Sequence, residues 1–108
     1  MTTRRRLPNR RRSETAKLPT PSGPVHVTIG FHPDDGDPLE VFLRPASARS
    51  GSDLQFLADD AAIILSLCLQ YGVPIDVIGK SLSRQQGYRP ASLLAAVADH
   101  LALIEKGG

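Results

Sequence analysis

Two arginine triplets near the N-terminus are the residues best suited to binding a charged ligand. They are Arg4, Arg5, Arg6, Arg10, Arg11 and Arg12. A guanidinium group binds a phosphate or a carboxylate through two parallel hydrogen bonds, which a lysine cannot do. In an extended chain, at ~3.3 Å per residue, the triplets lie ~20 Å apart. We predict that these six arginines bind an anion or an acidic partner. Composition does not distinguish nucleic acid from an acidic protein surface.

The charge of the chain is distributed unevenly between its two ends. Residues 1–17 hold seven of the 13 Lys and Arg residues but only one of the 11 Asp and Glu residues. The net charge of +2 therefore combines a strongly basic N-terminal segment with an acidic remainder. Such a division is typical of an arm that has an anionic partner of its own.

Local structure explains the other polar candidates better than catalysis or metal binding does. His32, Asp34, Asp35 and Asp37 do not have the spacing of a calcium loop, and turn chemistry explains their composition. Cys68 lies on the apolar stripe of a predicted helix, so we expect it to be buried and unreactive. His26 and His100 have no evident Ser, Cys or acidic partner. We predict no catalytic residue and no metal ligand.

A polar loop between the last two predicted helices is a further candidate for contact with a nucleotide. Its polar residues are Arg84, Gln85, Gln86, Tyr88 and Arg89. A solvated connection of this length has the same composition, and we favour that interpretation.

The N-terminal segment, residues 1–24, is predicted to be a flexible, basic arm. Its four prolines exclude a continuous helix, and no apolar periodicity marks it. Residues 25–108 are predicted to form a single domain, since the chain length favours one.

The domain begins with a predicted β-hairpin. Apolar and polar residues alternate from Val25 to Phe31, a turn rich in Asp, Gly and Pro follows, and Leu39 to Arg44 reads as a second strand. A two-stranded hairpin is marginal alone, so helices must cover one of its faces.

Three helices are predicted after the hairpin. Ser52 and Gln55 have capping-box spacing, and apolar residues then recur at helical spacing as far as Leu69. The apolar stripe is wide enough to predict a central, largely buried helix that ends at Gly72. Shorter patterns predict helices near residues 75–82 and 91–106. The predicted fold class is α+β, an antiparallel β-hairpin packed on a central buried helix followed by two further helices.

The cellular setting is predicted from the cysteine content and the apolar runs. One cysteine cannot form an intramolecular disulfide, and such a chain suits a reducing compartment. The basic N-terminus is not followed by the apolar run of a signal peptide. The longest apolar stretch, residues 61–69, is too short to cross a bilayer. We expect a cytoplasmic protein with no membrane partner.

The order of several segments resembles a known family. The strand VHVTIGF is followed by EVFLR and then by GSDLQFLADDAAIILSLCLQYGVPIDVIGKSL, and LPNRRRSET precedes them. Over residues 7–100 this order resembles the TSCPD domain, the C-terminal domain of adenosylcobalamin-dependent, class II ribonucleotide reductases. It is more similar still to short stand-alone bacterial proteins that carry this domain.

The resemblance implies a connection with deoxyribonucleotide biosynthesis but not a complete enzyme. The full reductases use adenosylcobalamin, and their C-terminal cysteines are implied in passing reducing equivalents to the active site. The Thr-Ser-Cys-Pro-Asp signature is absent here, and Cys68 cannot replace a cysteine pair. We therefore expect an accessory module that binds no cofactor itself and docks to a ribonucleotide reductase or another protein of nucleotide metabolism.

A nucleic-acid-binding protein is the alternative prediction. Residues 65–82 fit the order of a helix-turn-helix, and a basic arm accompanies that unit in some DNA-binding proteins. The predicted second helix offers Asp76, Lys80 and Ser81, which is a weak set for contacting phosphates and bases.

Overall fold

A three-stranded antiparallel sheet forms one layer of the molecule. The computed structural model describes the backbone of residues 3–107 and the side chains of residues 3–105. The strands are β1 (Ser13–Leu18), β2 (Val25–Phe31) and β3 (Pro38–Pro45), in the order β1-β2-β3. The helices are α1 (Asp53–Gln70), α2 (Ile75–Ser81) and α3 (Leu93–Gly107), with a 3₁₀ turn at Gln86–Tyr88. The predicted α+β class is confirmed.

The first strand corrects the prediction of a flexible arm over residues 1–24. Ser13–Leu18 pairs with β2 along its whole length, from Ser13 opposite Gly30 to Leu18 opposite Val25. The segment has little apolar character because it is an edge strand whose outer side meets solvent. The segment is a strand mainly because its backbone pairs with β2. The pattern of apolar and polar residues within six positions cannot reveal that pairing.

The core lies between one face of the sheet and the inner sides of α1 and α3. The sheet contributes Val25, Val27, Ile29, Phe31, Leu39, Val41 and Leu43. The helices contribute Ala58, Ala62, Leu65, Leu69, Leu93, Val97 and Leu101. Period-2 alternation in the strands and the helical period in α1 and α3 bring these residues to one interface. Each large side chain contributes roughly 1.5–3 kcal/mol through its burial.

Helix α1 begins where the sequence predicts but is not buried all around. Ser52 is the N-cap, and its hydroxyl accepts a hydrogen bond from the backbone N–H of Gln55. Only one side of α1 faces the core, whereas Phe56, Leu57, Ile63 and Ile64 are exposed. The prediction of a largely buried helix is wrong for this outer side, because no other element among the described residues packs over it. Within residues 3–107 no helix is both long and apolar enough to span a membrane.

The rim of α1 also closes the free edge of β3. Ser66 Oγ accepts from the backbone N–H of Val41 (2.9 Å) and donates to the carbonyl of the same residue (3.2 Å). Gln70 Nε2 donates to the carbonyl of Leu39 (3.0 Å). Side chains therefore satisfy backbone groups that would otherwise recruit another strand.

Candidate functional site

The N-terminal strap, residues 4–12, is folded back onto the domain. The backbone N–H of Arg5 donates to the carbonyl of Gln70 at the end of α1 (2.8 Å). The Arg4 Nε donates to Oε1 of the same glutamine (2.6 Å). The strap is thus anchored beside the C-terminus of α1, and its first arginines have intramolecular partners.

Arg5 next crosses to the turn between β2 and β3. Its two terminal nitrogens lie 2.7 Å from Asp35 Oδ2 and 2.9 Å from Asp37 Oδ2. The hydrogen bond to Asp37 is the main reason that the pKa of Arg5 is raised. The pKa of Asp35 is below its usual value, mainly because its carboxylate accepts a hydrogen bond from the backbone N–H of Asp37. The hydrogen bond from Arg5 lowers this pKa further. The acidic turn is therefore occupied by a cation of the chain itself.

Arg11 binds the strap to β3 on the face of the sheet that points away from the core. Its Nε and one terminal nitrogen bind the two carboxylate oxygens of Glu40 at 2.9 and 2.8 Å. Its other terminal nitrogen donates to the carbonyl of Pro8 (2.8 Å). The hydrogen bond to Glu40 raises the pKa of Arg11. Gly30 lies opposite Glu40 in the sheet and leaves room for this carboxylate.

Gly30→Ala is expected to destabilise the fold by about 1–3 kcal/mol, as overpacking does. The added Cβ would lie 2.5 Å from Glu40 Oε1, and Arg11 restrains the carboxylate from moving away. The measurement is urea unfolding of four chains, namely wild type, Gly30→Ala, Glu40→Ala and the double variant. The Gly30→Ala effect should nearly vanish in the Glu40→Ala background. An equal effect in both backgrounds would contradict the proposed clash.

The remaining arginines of the strap divide into one that is held and two that are free. Arg12 lies over the Phe31 ring, 4.2 Å from its centroid, and forms an ion pair with Glu14. Arg6 and Arg10 are exposed and have no hydrogen-bond or ion-pair partner within the described residues. Binding of an external anion by all six arginines remains a prediction. Four of the six have partners inside the molecule, which the sequence did not reveal.

The other polar residues considered as candidate site residues do not come together in one site in the described structure. His32 Nδ1 accepts from the backbone N–H of Asp34 (3.1 Å) in the β2–β3 turn, as turn chemistry requires. No group of three or more His, Cys, Asp or Glu side chains in the described part of the chain is placed to hold a metal ion. Cys68 is half-buried, so the prediction of a buried thiol is wrong in degree. It lies at the margin of the inner face of α1, where helical periodicity alone cannot place the boundary.

The polar loop after α2 is organised by Arg84. This side chain binds both carboxylate oxygens of Asp99 on α3 (2.8 Å each) and donates to the carbonyl of Gly79 (2.7 Å). The hydrogen bond to Asp99 raises the pKa of Arg84. Arg84 therefore fastens α2 and the loop to α3. Sequence reasoning missed Asp99, because its partner is 15 residues away.

A cavity of about 400 Å³ adjoins this ion pair and has Tyr88 at its edge. Tyr88 is exposed and has a φ of 61°, which is rare for a residue other than glycine. Such backbone conformations are more frequent at functional sites than elsewhere.

The outer face of α1 carries four exposed large apolar side chains. It comprises Phe56, Leu57, Ile63 and Ile64, whose exposed fractions are 56%, 68%, 59% and 61%. Asp53, Asp59 and Asp60 lie on the same side of the helix and are also exposed. Contiguous apolar surface rimmed by polar residues is typical of a protein interaction site.

Comparison with known proteins identifies the family. The TSCPD domain model matches residues 1–105. The chain belongs to the TSCPD domain family. The match includes the strap and β1, so the TSCPD domain extends through the segment that the sequence had assigned to a separate arm.

The curated relatives of this TSCPD domain carry the name vitamin B12-dependent ribonucleotide reductase. The protein of Rhodopirellula baltica is 36% identical over 80 residues, which cover 74% of this chain and 7% of the relative. The protein of Streptantibioticus cattleyicolor is 33% identical over 90 residues, 83% of this chain and 14% of the relative. The protein of Bradyrhizobium diazoefficiens is 36% identical over 76 residues. No solved structure gives a significant match.

The chain thus spans a small fraction of the length of the relatives that it matches. The relationship to ribonucleotide reductases is established for this TSCPD domain, while the activity belongs to the relatives. The Thr-Ser-Cys-Pro-Asp signature is absent from the sequence, and Cys68 within α1 is its single cysteine.

Proposed function

We propose that this TSCPD domain is an accessory module that docks to the catalytic part of a vitamin B12-dependent ribonucleotide reductase. Support comes first from the relatives, in which the same domain forms a small part of a much longer protein. A domain joined to an enzyme by a linker has a high effective concentration, whereas docking between any two separate chains depends on the affinity of the contact surface itself.

The proposal rests mainly on the exposed apolar side chains of the outer face of α1. An amphipathic helix that leaves Phe56, Ile63 and Ile64 in water gains free energy when a second apolar surface covers them. Large aromatic and aliphatic side chains at the centre of such a surface supply most of the affinity of a protein interface.

The negative charges on the exposed side of α1 indicate which kind of partner surface it can contact. Asp53, Asp59 and Asp60 lie on the exposed side of α1, and this side carries no basic residue. A second copy of the chain would place like charges against one another, which disfavours pairing through α1. We therefore assign the face to a helix that combines apolar residues with flanking Lys or Arg.

The test uses the full chain and the purified reductase from the same organism. The variant is Phe56→Ala/Ile63→Ala, with Val77→Ala/Leu103→Ala as a matched control, because all four side chains are apolar and exposed. We expect the first pair to weaken binding about tenfold or more in a calorimetric titration, and the control pair to leave it nearly unchanged. Binding that is absent in the wild type, or equal in both variants, would reject the proposal.

Adenosylcobalamin has no role in the proposed docking. A corrin ring needs a large, mostly apolar pocket. The cavity of about 470 Å³ next to the β2–β3 turn instead has charged side chains in its lining, namely Arg12, Glu14, Asp35, Asp37 and Glu105. This carboxylate-rich site does not fit the cofactor, and we expect this chain to bind none. We also propose that the protein acts in the cytoplasm.

A further inference from the structure

The solvent side of the sheet carries an ordered arrangement of residues that the docking proposal does not use. In one cross-strand row, Lys17 of β1 lies opposite His26 of β2, which lies opposite Arg44 of β3. These side chains point away from the core, because the alternate residues of β2 and β3 are buried against the helices. We call this surface the outer sheet face.

The next row contains one exposed aromatic side chain. Thr15, Thr28 and Phe42 are in register, and the two threonine hydroxyls lie 2.8 Å apart. Phe42 is 56% exposed, although the opposite side of β3 is buried. A flat ring on a sheet surface is a platform on which a nucleic-acid base can stack.

The positive charge of the first row is not neutralised by the protein. Among the side chains of residues 3–105, Lys17 and Arg44 form no ion pair and no hydrogen bond, whereas Arg11 on the same side binds Glu40. His26 adds a buried Nδ1 atom that has no hydrogen-bond partner in the described structure. Buried polar atoms are nearly always hydrogen-bonded in folded proteins, so this unpaired atom singles out His26, which lies between Lys17 and Arg44, as the residue of the row that lacks a partner.

The two rows are spaced as a nucleotide requires. Phe42 and Arg44 are two residues apart on one strand, about 7 Å, and neighbouring strands are about 5 Å apart. The three positions of the first row therefore span about 10 Å. Beyond Arg44, a cavity of about 340 Å³ is lined by His26, Pro45, Ser50 and Gln55 among others. One nucleoside phosphate is therefore long enough to place its phosphate on the first row and its base over Phe42.

The geometry points to the outer sheet face as a binding site for a nucleoside phosphate, with the base on Phe42 and the phosphate on Lys17, His26 and Arg44. The ligand is either a free nucleotide or a nucleotide within a single strand of nucleic acid, because both present the same base and phosphate. The site lies on the side of the sheet opposite the core helices, so it can be occupied while α1 is docked.

The experiment measures binding to the full chain by fluorescence anisotropy at low salt. The probes are a labelled single-stranded oligothymidylate of about 10 nucleotides and a labelled adenosine triphosphate, with inorganic pyrophosphate as competitor. The test variants are Phe42→Ala and Arg44→Ala. Arg89→Ala is the comparison variant, because Arg89 is also exposed but lies in the polar loop between α2 and α3, which is the other candidate for contact with a nucleotide. Arg6→Ala/Arg10→Ala tests the free arginines of the strap.

We expect Phe42→Ala and Arg44→Ala each to weaken binding about tenfold or more, and Arg89→Ala to leave it unchanged. Arg44→Ala should also reduce the slope of log affinity against log salt by about one, whereas Phe42→Ala should not change that slope. Binding of the triphosphate with these losses identifies a free nucleotide as the ligand. The same losses with the oligonucleotide alone identify a single strand.

Three results would overturn the inference. The first is that the wild type binds neither probe. The second is that the loss occurs in Arg6→Ala/Arg10→Ala but in neither sheet variant. The third is that Phe42→Ala binds normally while pyrophosphate competes as well as the nucleotide. None of these results bears on docking through α1, so the two proposals fail separately.

Discussion

Leu65→Ala is expected to lower the free energy of unfolding by about 2–5 kcal/mol. Leu65 is 2% exposed and belongs to the core between α1 and the sheet. The truncation removes apolar contacts and leaves a cavity, and the β-strands on the other side of the core can relax only in part. Chemical denaturation followed by circular dichroism measures the loss.

The same helix offers a matched control for this truncation. Leu57 is 68% exposed, so Leu57→Ala removes the same atoms from solvent rather than from the core. Its effect on unfolding should be less than about 0.5 kcal/mol. Equal losses at both positions would mean that the buried side of α1 has been assigned incorrectly.

Gln70→Ala is expected to cost about 1–3 kcal/mol and to loosen the strap. The buried amide donates to the carbonyl of Leu39 and accepts from the Nε of Arg4, so its removal leaves both groups without a partner. One side chain thus links α1, the edge of β3 and the N-terminal strap. The first measurement is denaturant unfolding, and the second is the rate of tryptic cleavage after Arg4, Arg5 and Arg6.

Gln86→Ala is the control for this substitution, because Gln86 is exposed in the 3₁₀ turn. It should alter neither stability nor cleavage. If Gln70→Ala destabilised the fold without faster cleavage at the strap, Gln70 would support the β3 edge alone, and the strap would have other anchors such as Arg5 and Arg11.

Helix α1 combines three roles on three sides. Its inner side completes the core, Ser66 and Gln70 on its rim close the edge of β3, and its outer side carries the apolar surface proposed for docking. Because the β3 edge is closed, β1 is the open edge strand of the sheet in the part of the chain that the structure describes. A hairpin with two open edges, which the sequence predicted, would have been far more prone to pairing with other chains.

The fold was largely predictable where local patterns carry the information. Alternation identified β2 and β3, the serine cap and the helical period identified α1, and the order of segments indicated the family. These signals arise because burial on one face imposes a period of two on a strand and of 3.6 on a helix. The N-cap at Ser52 adds a side-chain hydrogen bond that local sequence also specifies.

The sequence by itself determined the α+β class, the core-facing positions of the strands and the uneven distribution of charge. Only the tertiary structure decided which groups the arginines bind, because the partners of Arg5 and Arg11 are about 30 residues distant in the sequence and lie in the β2–β3 turn and on β3. It likewise decided that Ser13–Leu18 is a strand and that one side of α1 lies in water. Cross-strand pairing and long-range ion pairs depend on which surfaces meet, and periodicity along the chain contains no information about that.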